Sequence, residues 1–294
     1  MVVLSAEKVS NGVVLPAGSR VTAVQRQCRD YLEGKLAPTD HELTVIIPAY
    51  NEQARLPKTL ATLGHFLEST RLDYRVLVAD DCSRDNTARL TDGRGPRFST
   101  LRLPSHGGKG RAVRAAMLAA TGQIVAFTDA DLPYELSALV EGYDWIRRGL
   151  CEVAVGARRD QTPTVVHRRL ARKLASAAFR QIISRLVSPE LPDTQCGLKI
   201  FSRRSAIEIF SRSEVDGFAF DAEAILLALR LGLVLQCLNV TLINEHTSTV
   251  SLVRDALPML RDVIRARIRL GRHPIMPRMR PDWGRLPEQS STAA

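Results

Sequence analysis

Short apolar runs, each followed by a cluster of charged or turn-forming residues, constrain this chain more than any other feature. LTVII (43–47) leads into PAYNE (48–52), the strand-like run from Tyr74 into ADDCSRDNT (79–87), and IVAF (124–127) into TDADLPY (128–134). A fourth run, Phe98 to Leu103, precedes HGGKG (106–110). Helical patterns separate them: Arg55 to about Ser69 with Leu56, Leu60, Leu63 and Leu67 on one face, then Arg111 to Ala120, then about 135–148. Ser83 to Thr87 has the composition of a capped helix start. Strands alternating with helices, several of the strands almost wholly apolar, predict an α/β fold with a mainly parallel sheet covered on both faces. The carboxyl ends of parallel strands open into one crevice, so all four polar clusters are expected to meet there.

The second half is less regular. A strand is expected at Cys151 to Val155, a basic helix at about 165–187, and a short strand at Gly197 to Phe201. Helices at 203–211 and 221–231, a strand at Leu233 to Asn239 and an Arg-rich amphipathic helix at about 251–270, bent at Pro258, complete the pattern. Residues 1–41 read as an N-terminal extension with a short helix at 21–35, residues 42–271 as the folded domain, and 272–294 as a disordered tail.

Charge and cysteine usage narrow the class of function. The net charge is +10, but the arginines concentrate in 158–185 and 254–280, which points to a local anionic partner, a phosphate or a membrane surface. Aromatic residues make up only 5%, too few for a base-stacking surface, so no nucleic-acid partner is expected. The five cysteines form no CxxC pair, which argues against a disulfide framework or zinc site and for a reducing cytoplasm. Neither a signal peptide nor a run of about 18–20 apolar residues is present, so a soluble or peripheral protein is expected.

TDADLPY supplies the sharpest chemical clue. Asp129 and Asp131 sit one residue apart behind a buried strand, and their repulsion becomes tolerable if they share a divalent cation with an anionic substrate. HGGKG could cradle a phosphate before its helix, although the GxxxxGK[ST] pattern of a Walker loop is missing.

In this order the four clusters resemble those of family 2 glycosyltransferases of the GT-A fold, over roughly 43–270. The resemblance implies a Rossmann-like mainly parallel sheet flanked by helices, and a nucleotide-sugar donor. Pro48, Ala49, Tyr50, Asn51 and Glu52 would line the nucleoside pocket, Asp80 or Asp81 would contact base and ribose, and Lys109 and Gly110 would lie near the nucleotide. Asp129, Ala130 and Asp131 match the DxD motif, whose carboxylates hold Mg²⁺ or Mn²⁺ on the diphosphate.

DTQCGLKIF (193–201), with Asp193, Gln195 and Cys196, resembles a motif of dolichyl-phosphate glucosyltransferases and their bacterial polyprenyl-phosphate relatives, and FAFDAE (218–223) resembles their WAFDVE-type segment. GARRD (156–160) is similar to the segment after their fifth strand, and Arg172 with Ser176 matches the Arg-x-x-x-Ser pattern that binds acceptor phosphate in dolichyl-phosphate mannose synthases. Arg158, Arg168, Arg172 and Ser176 are therefore the expected acceptor-phosphate ligands. Asp221 and Glu223 stand near the family's base position, or else cap the helix at 221–231. Cys196 is expected to be a packed residue and no nucleophile.

The resemblance thus implies an inverting, metal-dependent hexosyl transfer, glucose rather than mannose, from UDP-glucose or GDP-mannose to a polyprenyl or dolichyl phosphate. Such an acceptor is already ionised and needs little or no base. The alternative is a soluble enzyme acting on a small hydroxyl acceptor, for which Asp221 or Glu223 would be the base. The last helix, with Arg261, Arg265 and Arg269 on one side and Leu257, Leu260, Ile264 and Ile268 on another, would either lie on anionic lipid at the cytoplasmic face or complete the core.

Overall fold

A computed structural model describes residues 12–14, 41–158, 181–188, 191, 193–243 and 252–271. The helix expected at 21–35, most of the basic helix at 165–187 and the tail at 272–294 lie outside the described residues, although 181–187 are helical.

Eight strands form one sheet: β1 (Gly12–Val14), β2 (Leu43–Ala49), β3 (Tyr74–Asp80), β4 (Phe98–Arg102), β5 (Ile124–Phe127), β6 (Val153–Arg158), β7 (Lys199–Ser202) and β8 (Leu235–Val240). Their order across the sheet is β1-β4-β3-β2-β5-β7-β6-β8. The ladders joining β1, β4, β3, β2 and β5 are parallel, as is β6 with β8. The exception is β7, antiparallel to both β5 and β6. Because it runs backwards, β7 begins where β5 ends, with Lys199 opposite Phe127. The segment preceding β7 is therefore delivered to the carboxyl end of β5.

Six labelled helices cover the sheet: α1 (Leu56–Ser69), α2 (Lys109–Ala119), α3 (Ser137–Arg147), α4 (Arg203–Phe210), α5 (Phe220–Arg230) and α6 (Leu252–Leu270). Strand periodicity divides the core in two. Val45 and Ile47 of β2 join the α1 leucines and Leu139, Tyr143 and Ile146 of α3 on one face. Ile46, between them, joins Val113 and Met117 of α2 and the α5 residues Ile225 and Leu229 on the other. Phe127 anchors that second face, its ring 5.5 Å from Phe220 and 6.3 Å from Phe201. Buried Arg203 closes the end of α2, donating to the carbonyls of Met117 at 2.8 Å and Leu118 at 3.1 Å, where a helix leaves acceptors unpaired.

Most expected boundaries fall within a few residues of those observed. One difference is instructive. Instead of a helix, the stretch after Ser83 makes a single 3₁₀ turn, Asn86–Arg89, capped by Asp85 accepting from the Thr87 N–H. Side chains and backbone there bond across to the neighbouring loop, and such cross-loop bonds compete with helix propagation. The strand expected at Cys151 to Val155 also begins later and runs on to Arg158, so that all of β6 pairs with β8.

If the Phe127 cluster is the centre of the second core, Phe127→Ala should cost about 3–5 kcal/mol, read as a lower urea midpoint at unchanged m-value. Ile264→Ala, on the exposed face of α6, should stay within about 0.5 kcal/mol.

Candidate functional site

At the carboxyl edge of β2, β3 and β5 the backbone is locally strained. Of the four non-glycine residues with positive φ among those described, Asn51 (54°), Cys82 (61°) and Leu132 (43°) sit in the PAYNE, ADDC and DADL loops. Residues other than glycine reach this region at a cost of about 1–3 kcal/mol each, and the surrounding structure must enforce it. Hydrogen bonds between loops do so. Asn51 N–H donates to Ser83 Oγ at 2.9 Å, Asn51 Oδ1 accepts from Arg84 N–H at 2.8 Å, and Glu52 N–H donates to Thr87 Oγ1 at 2.9 Å. Pro48 and Ala49 end β2 beside Ala79 and Asp80 of β3, so PAYNE and ADDCSRDNT form one zipped wall.

Asp80 and Asp81 serve that wall from inside. Asp80 is wholly buried, accepts from Ser83 N–H at 3.2 Å and faces Arg102 Nε at 3.6 Å. Asp81 accepts from the N–H groups of Gly107 at 2.9 Å and Gly108 at 2.7 Å, with His106 Nδ1 at 2.8 Å. The sequence suggested one of them as a contact to base and ribose. The structure has both organising the HGGKG turn and the loop after β3. The exposed ring surface nearby belongs to Tyr50 and His106, stacked with centroids 4.1 Å apart. His106 was legible only as part of its motif.

The DxD segment is pinned from below, where Thr59 of α1 donates to the Ala130 carbonyl. Asp129 forms an ion pair through Oδ1 with Lys109, the first residue of α2. Its other oxygen faces Gly197, where a Cβ would lie 2.0 Å from Oδ2, so any larger residue there would displace the carboxylate. Gly197 belongs to DTQCG and arrives there because β7 is antiparallel. Its N–H donates to Tyr134 Oη at 3.3 Å, tying the second-half motif to TDADLPY.

Lys109 draws several carboxylates together. Burial opposes its charge, but Asp129, Asp221 and Asp131 hold the ammonium above its usual range. Asp221, in the first turn of α5, is bound by Lys199 at 2.7 Å. Burial pushes the Asp221 carboxyl up, against the pull of Lys199 and Lys109. Lys199 is itself fully buried, donating also to the Cys196 carbonyl at 2.7 Å with its ammonium 5.5 Å from the Phe127 ring centroid. Sequence reading took Lys199 as a strand residue. Its signal was a lysine inside an otherwise apolar strand, a position that requires a buried partner.

Glu52 completes the electrostatics. Burial, then the neighbouring Asp131 and Asp85 carboxylates, raise it from its usual range against the pull of Arg55. Glu52 and Asp131 thus bring negative charge together at the strand ends, and the hard oxygens of Asp129 and Asp131 suit Mg²⁺ or Mn²⁺. Among the described residues no three metal-ligating side chains cluster, so such a cation would share a protein carboxylate pair with substrate oxygens.

Two expected residues, Arg158 and Glu223, are held by other partners. Arg158 is clasped by Asp193, with Nη2 to Oδ1 at 3.0 Å and Nε to Oδ2 at 2.5 Å. Burial opposes the Arg158 charge and Asp193 more than restores it, so its guanidinium joins GARRD to DTQCG. The fork that would grip an acceptor phosphate is already engaged. Glu223 faces Ser213, Glu214, Val215 and Arg269. Neither it nor Asp221 caps α5, whose cap position is Ala219. Cys196 is buried with its thiol pushed up to about 11, mainly by burial, so it stays protonated at neutral pH as expected of a packing residue. Asp193 also accepts Gln195 N–H at 3.0 Å, which shapes the DTQ turn. Arg168, Arg172 and Ser176 lie outside the described residues.

The family model for glycosyl transferase family 2 matches residues 44–210. A dolichyl-phosphate beta-glucosyltransferase of Dictyostelium discoideum is 28% identical over 260 residues, spanning 83% of this chain and 80% of the relative. One from Trichomonas vaginalis is 30% identical over 236 residues, spanning 76% and 72%. Among solved structures, glucosyl-3-phosphoglycerate synthase from Mycobacterium tuberculosis with Mn²⁺ and uridine-diphosphate-glucose superposes at a TM-score of 0.56 and 16% identity, over 87% of this chain and 86% of that one. Mannosyl-3-phosphoglycerate synthase from Rubrobacter xylanophilus gives 0.57 at 18% identity, over 83% and 75%. At such identities the structural likeness establishes the fold, which is GT-A. The chain belongs to glycosyl transferase family 2 and is a glycosyltransferase.

Proposed function

We propose that this enzyme transfers a hexose, glucose in preference to mannose, from a nucleotide diphosphate sugar to the phosphate of a polyprenyl or dolichyl lipid, with inversion at the anomeric carbon. UDP-glucose is the favoured donor and GDP-mannose the second. The observation that carries the reading is the antiparallel β7, which seats Gly197 of DTQCG against the Asp129 carboxylate. A motif shared with lipid-phosphate glucosyltransferases thereby abuts the donor side of the pocket. The names of the Dictyostelium and Trichomonas relatives support the same acceptor class.

In this reading Tyr50, with PAYNE around it, lies along the nucleoside, and Lys109 and the amino end of α2 face the diphosphate. Asp129 and Asp131 would hold Mg²⁺ or Mn²⁺, which supplies charge neutralisation to a leaving diphosphate; the Mn²⁺ bound to the Mycobacterium tuberculosis synthase supports the choice of metal. An oxygen of the acceptor phosphate attacks the anomeric carbon from the face opposite the leaving group. The bond from that carbon to the β-phosphate oxygen breaks, and its electron pair leaves on the nucleoside diphosphate. The attacking oxygen carries no proton at neutral pH, so no base is required. Asp221, salted by Lys199, then acts as a fixed charge that holds Lys109 in place. Arg168, Arg172 and Ser176 remain the proposed acceptor-phosphate ligands, with Arg158, held by Asp193, as a further one. Among the described residues no helix is long and apolar enough to cross a membrane. Leu257, Ile264 and Ile268 nonetheless leave an apolar stripe exposed on α6 with Arg261 and Arg265 along one side of it, which suits peripheral contact with anionic lipid at the cytoplasmic face.

Two measurements test this. Asp129→Asn and Asp131→Asn should each lower transfer at least 100-fold, and EDTA should abolish it in the unaltered enzyme until Mn²⁺ or Mg²⁺ is restored. Full turnover in EDTA refutes the metal role. In a detergent assay with polyprenyl phosphate, Asp221→Asn should retain measurable transfer with an unchanged circular dichroism spectrum. Complete loss with the fold intact, together with transfer to a small alcohol by the unaltered enzyme, would instead favour the hydroxyl-acceptor chemistry.

A further inference from the structure

Glu223 is tied down more thoroughly than a proton-transferring group can be. Its carboxylate is wholly buried and accepts from Ser213 Oγ, from the Glu214 N–H at 3.1 Å and from the Val215 N–H at 2.9 Å. Arg269 of α6 closes the set, pairing with Glu223 and with Glu214. Four donors from two distant stretches of the chain, 213–215 and Arg269, converge on one anion and occupy its acceptor positions.

What these bonds immobilise is the turn at 213–217, and that turn is the floor of HGGKG. A Cβ on Gly108 would lie 2.6 Å from the Asp216 carbonyl oxygen, and one on Gly110 would lie 2.5 Å from that of Val215 and 2.8 Å from that of Gly217. Gly108 adopts a φ of 103°, open to glycine at little cost, so the close approach and the backbone shape both require it. Arg111 N–H donates to the Asp216 carbonyl at 3.2 Å, and Arg114 pairs with the Asp216 carboxylate at 2.6 Å. Backbone packed on backbone has no side-chain slack, so a displacement of 213–217 is passed to Gly108 and Gly110, and Lys109 stands between them.

We infer that Glu223 is a positioning residue rather than the base: with Arg269 it locks the turn at 213–217, and through it sets Lys109 against Asp129, so that the C-terminal helix helps to build the donor pocket. The inference rests on the reading of Lys109 as a ligand of the nucleotide-sugar diphosphate. A cleft of about 340 Å³ opens beside the pair, lined by Glu214, Asp216, Asp262, Arg265 and Arg269, so without the Arg269 side chain a small cation could approach the Glu223 carboxylate from that side.

The experiment compares Glu223→Gln, Arg269→Met, the double variant and Arg269→Ala. Glutamine keeps one acceptor oxygen for the turn but loses the charge that faces Arg269. Each single variant should raise the donor KM about tenfold, the worth of roughly 1.4 kcal/mol, with a smaller change in kcat and an unshifted pH profile. The double variant should be no worse than the singles, because both break one interaction. Millimolar guanidinium should restore part of the loss in Arg269→Ala and leave the unaltered enzyme unstimulated. A Glu223→Gln enzyme with background kcat, unchanged donor KM and a lost acidic limb in its pH profile would make Glu223 the base and overturn the proposal. Arg269 variants with normal kinetics would do the same. Hydrogen exchange separates this from failure of the donor reading, since it needs no substrate: Arg269→Met should speed exchange at Gly107, Gly108 and Arg111, and unchanged protection there refutes the coupling.

Discussion

The ion pair between Lys109 and Asp129 is the point on which the site depends, because each partner is delivered by a different layer of the fold. Lys109 opens α2, on the second core face, while Asp129 follows β5 and is pinned through Ala130 to α1 on the first. Charges alternate outward from that contact: Asp221 lies near Lys109, Lys199 holds Asp221, and the Phe127 ring lies beside Lys199. Removing one member leaves its neighbour an uncompensated buried charge, at a cost of about 3–5 kcal/mol for such a pair. The chain of charges is therefore strong evidence of a fixed geometry and weak evidence of stability. In the proposed function a phosphate-bearing donor would meet an ammonium already aimed, which is the form that electrostatic preorganisation takes.

The aiming is supported from two directions. On one side, two strained loops are held by hydrogen bonds between PAYNE and ADDCSRDNT, and Asp81 ties them to the amides of Gly107 and Gly108. On the other, the turn at 213–217 presses its carbonyl oxygens against Gly108 and Gly110. HGGKG is gripped between an acidic side chain and a backbone floor. Gly108 and Gly110 serve that close packing as much as any phosphate, which explains why a loop with no Walker pattern still needs them.

Much of the fold was legible because β2 and β5 are buried along their whole length and read as nearly unbroken apolar runs, while α1 repeats leucine at helical spacing. The donor side was legible for a related reason: polar residues placed directly after such runs have little room to be anywhere else. The orientation of β7 was not legible. KIF carries no mark of direction, and only pairing with Phe127 and Val125 on one side and Val153 and Val155 on the other reveals that it runs backwards. Lys199, Gly197 and the true setting of Glu223 followed from that orientation and from α6, long-range contacts that no local spacing encodes. The pairing of Arg158, expected as an acceptor-phosphate ligand, with Asp193 was hidden for the same reason, since the two are 35 residues apart in sequence.

These long-range ties bear on how the two halves of the site divide their labour. The donor half is built from consecutive strand ends and is rigid through local hydrogen bonding. The other half is assembled from DTQCG, α5 and α6 around three buried or half-buried ion pairs, Arg158 with Asp193, Lys199 with Asp221 and Arg269 with Glu223. Each pair joins elements distant in sequence, and each anion also accepts a backbone N–H or lies within the field of a second cation. An apolar core could hold the same elements together more cheaply, but packing is tolerant of small shifts and a bidentate or multiply hydrogen-bonded pair is not. If an ionised acceptor is to be brought against an ionised donor, their mutual repulsion must be met by cations fixed to within a fraction of an ångström. Paired charges supply that fixity where hydrophobic contact alone would leave Lys109 free to wander.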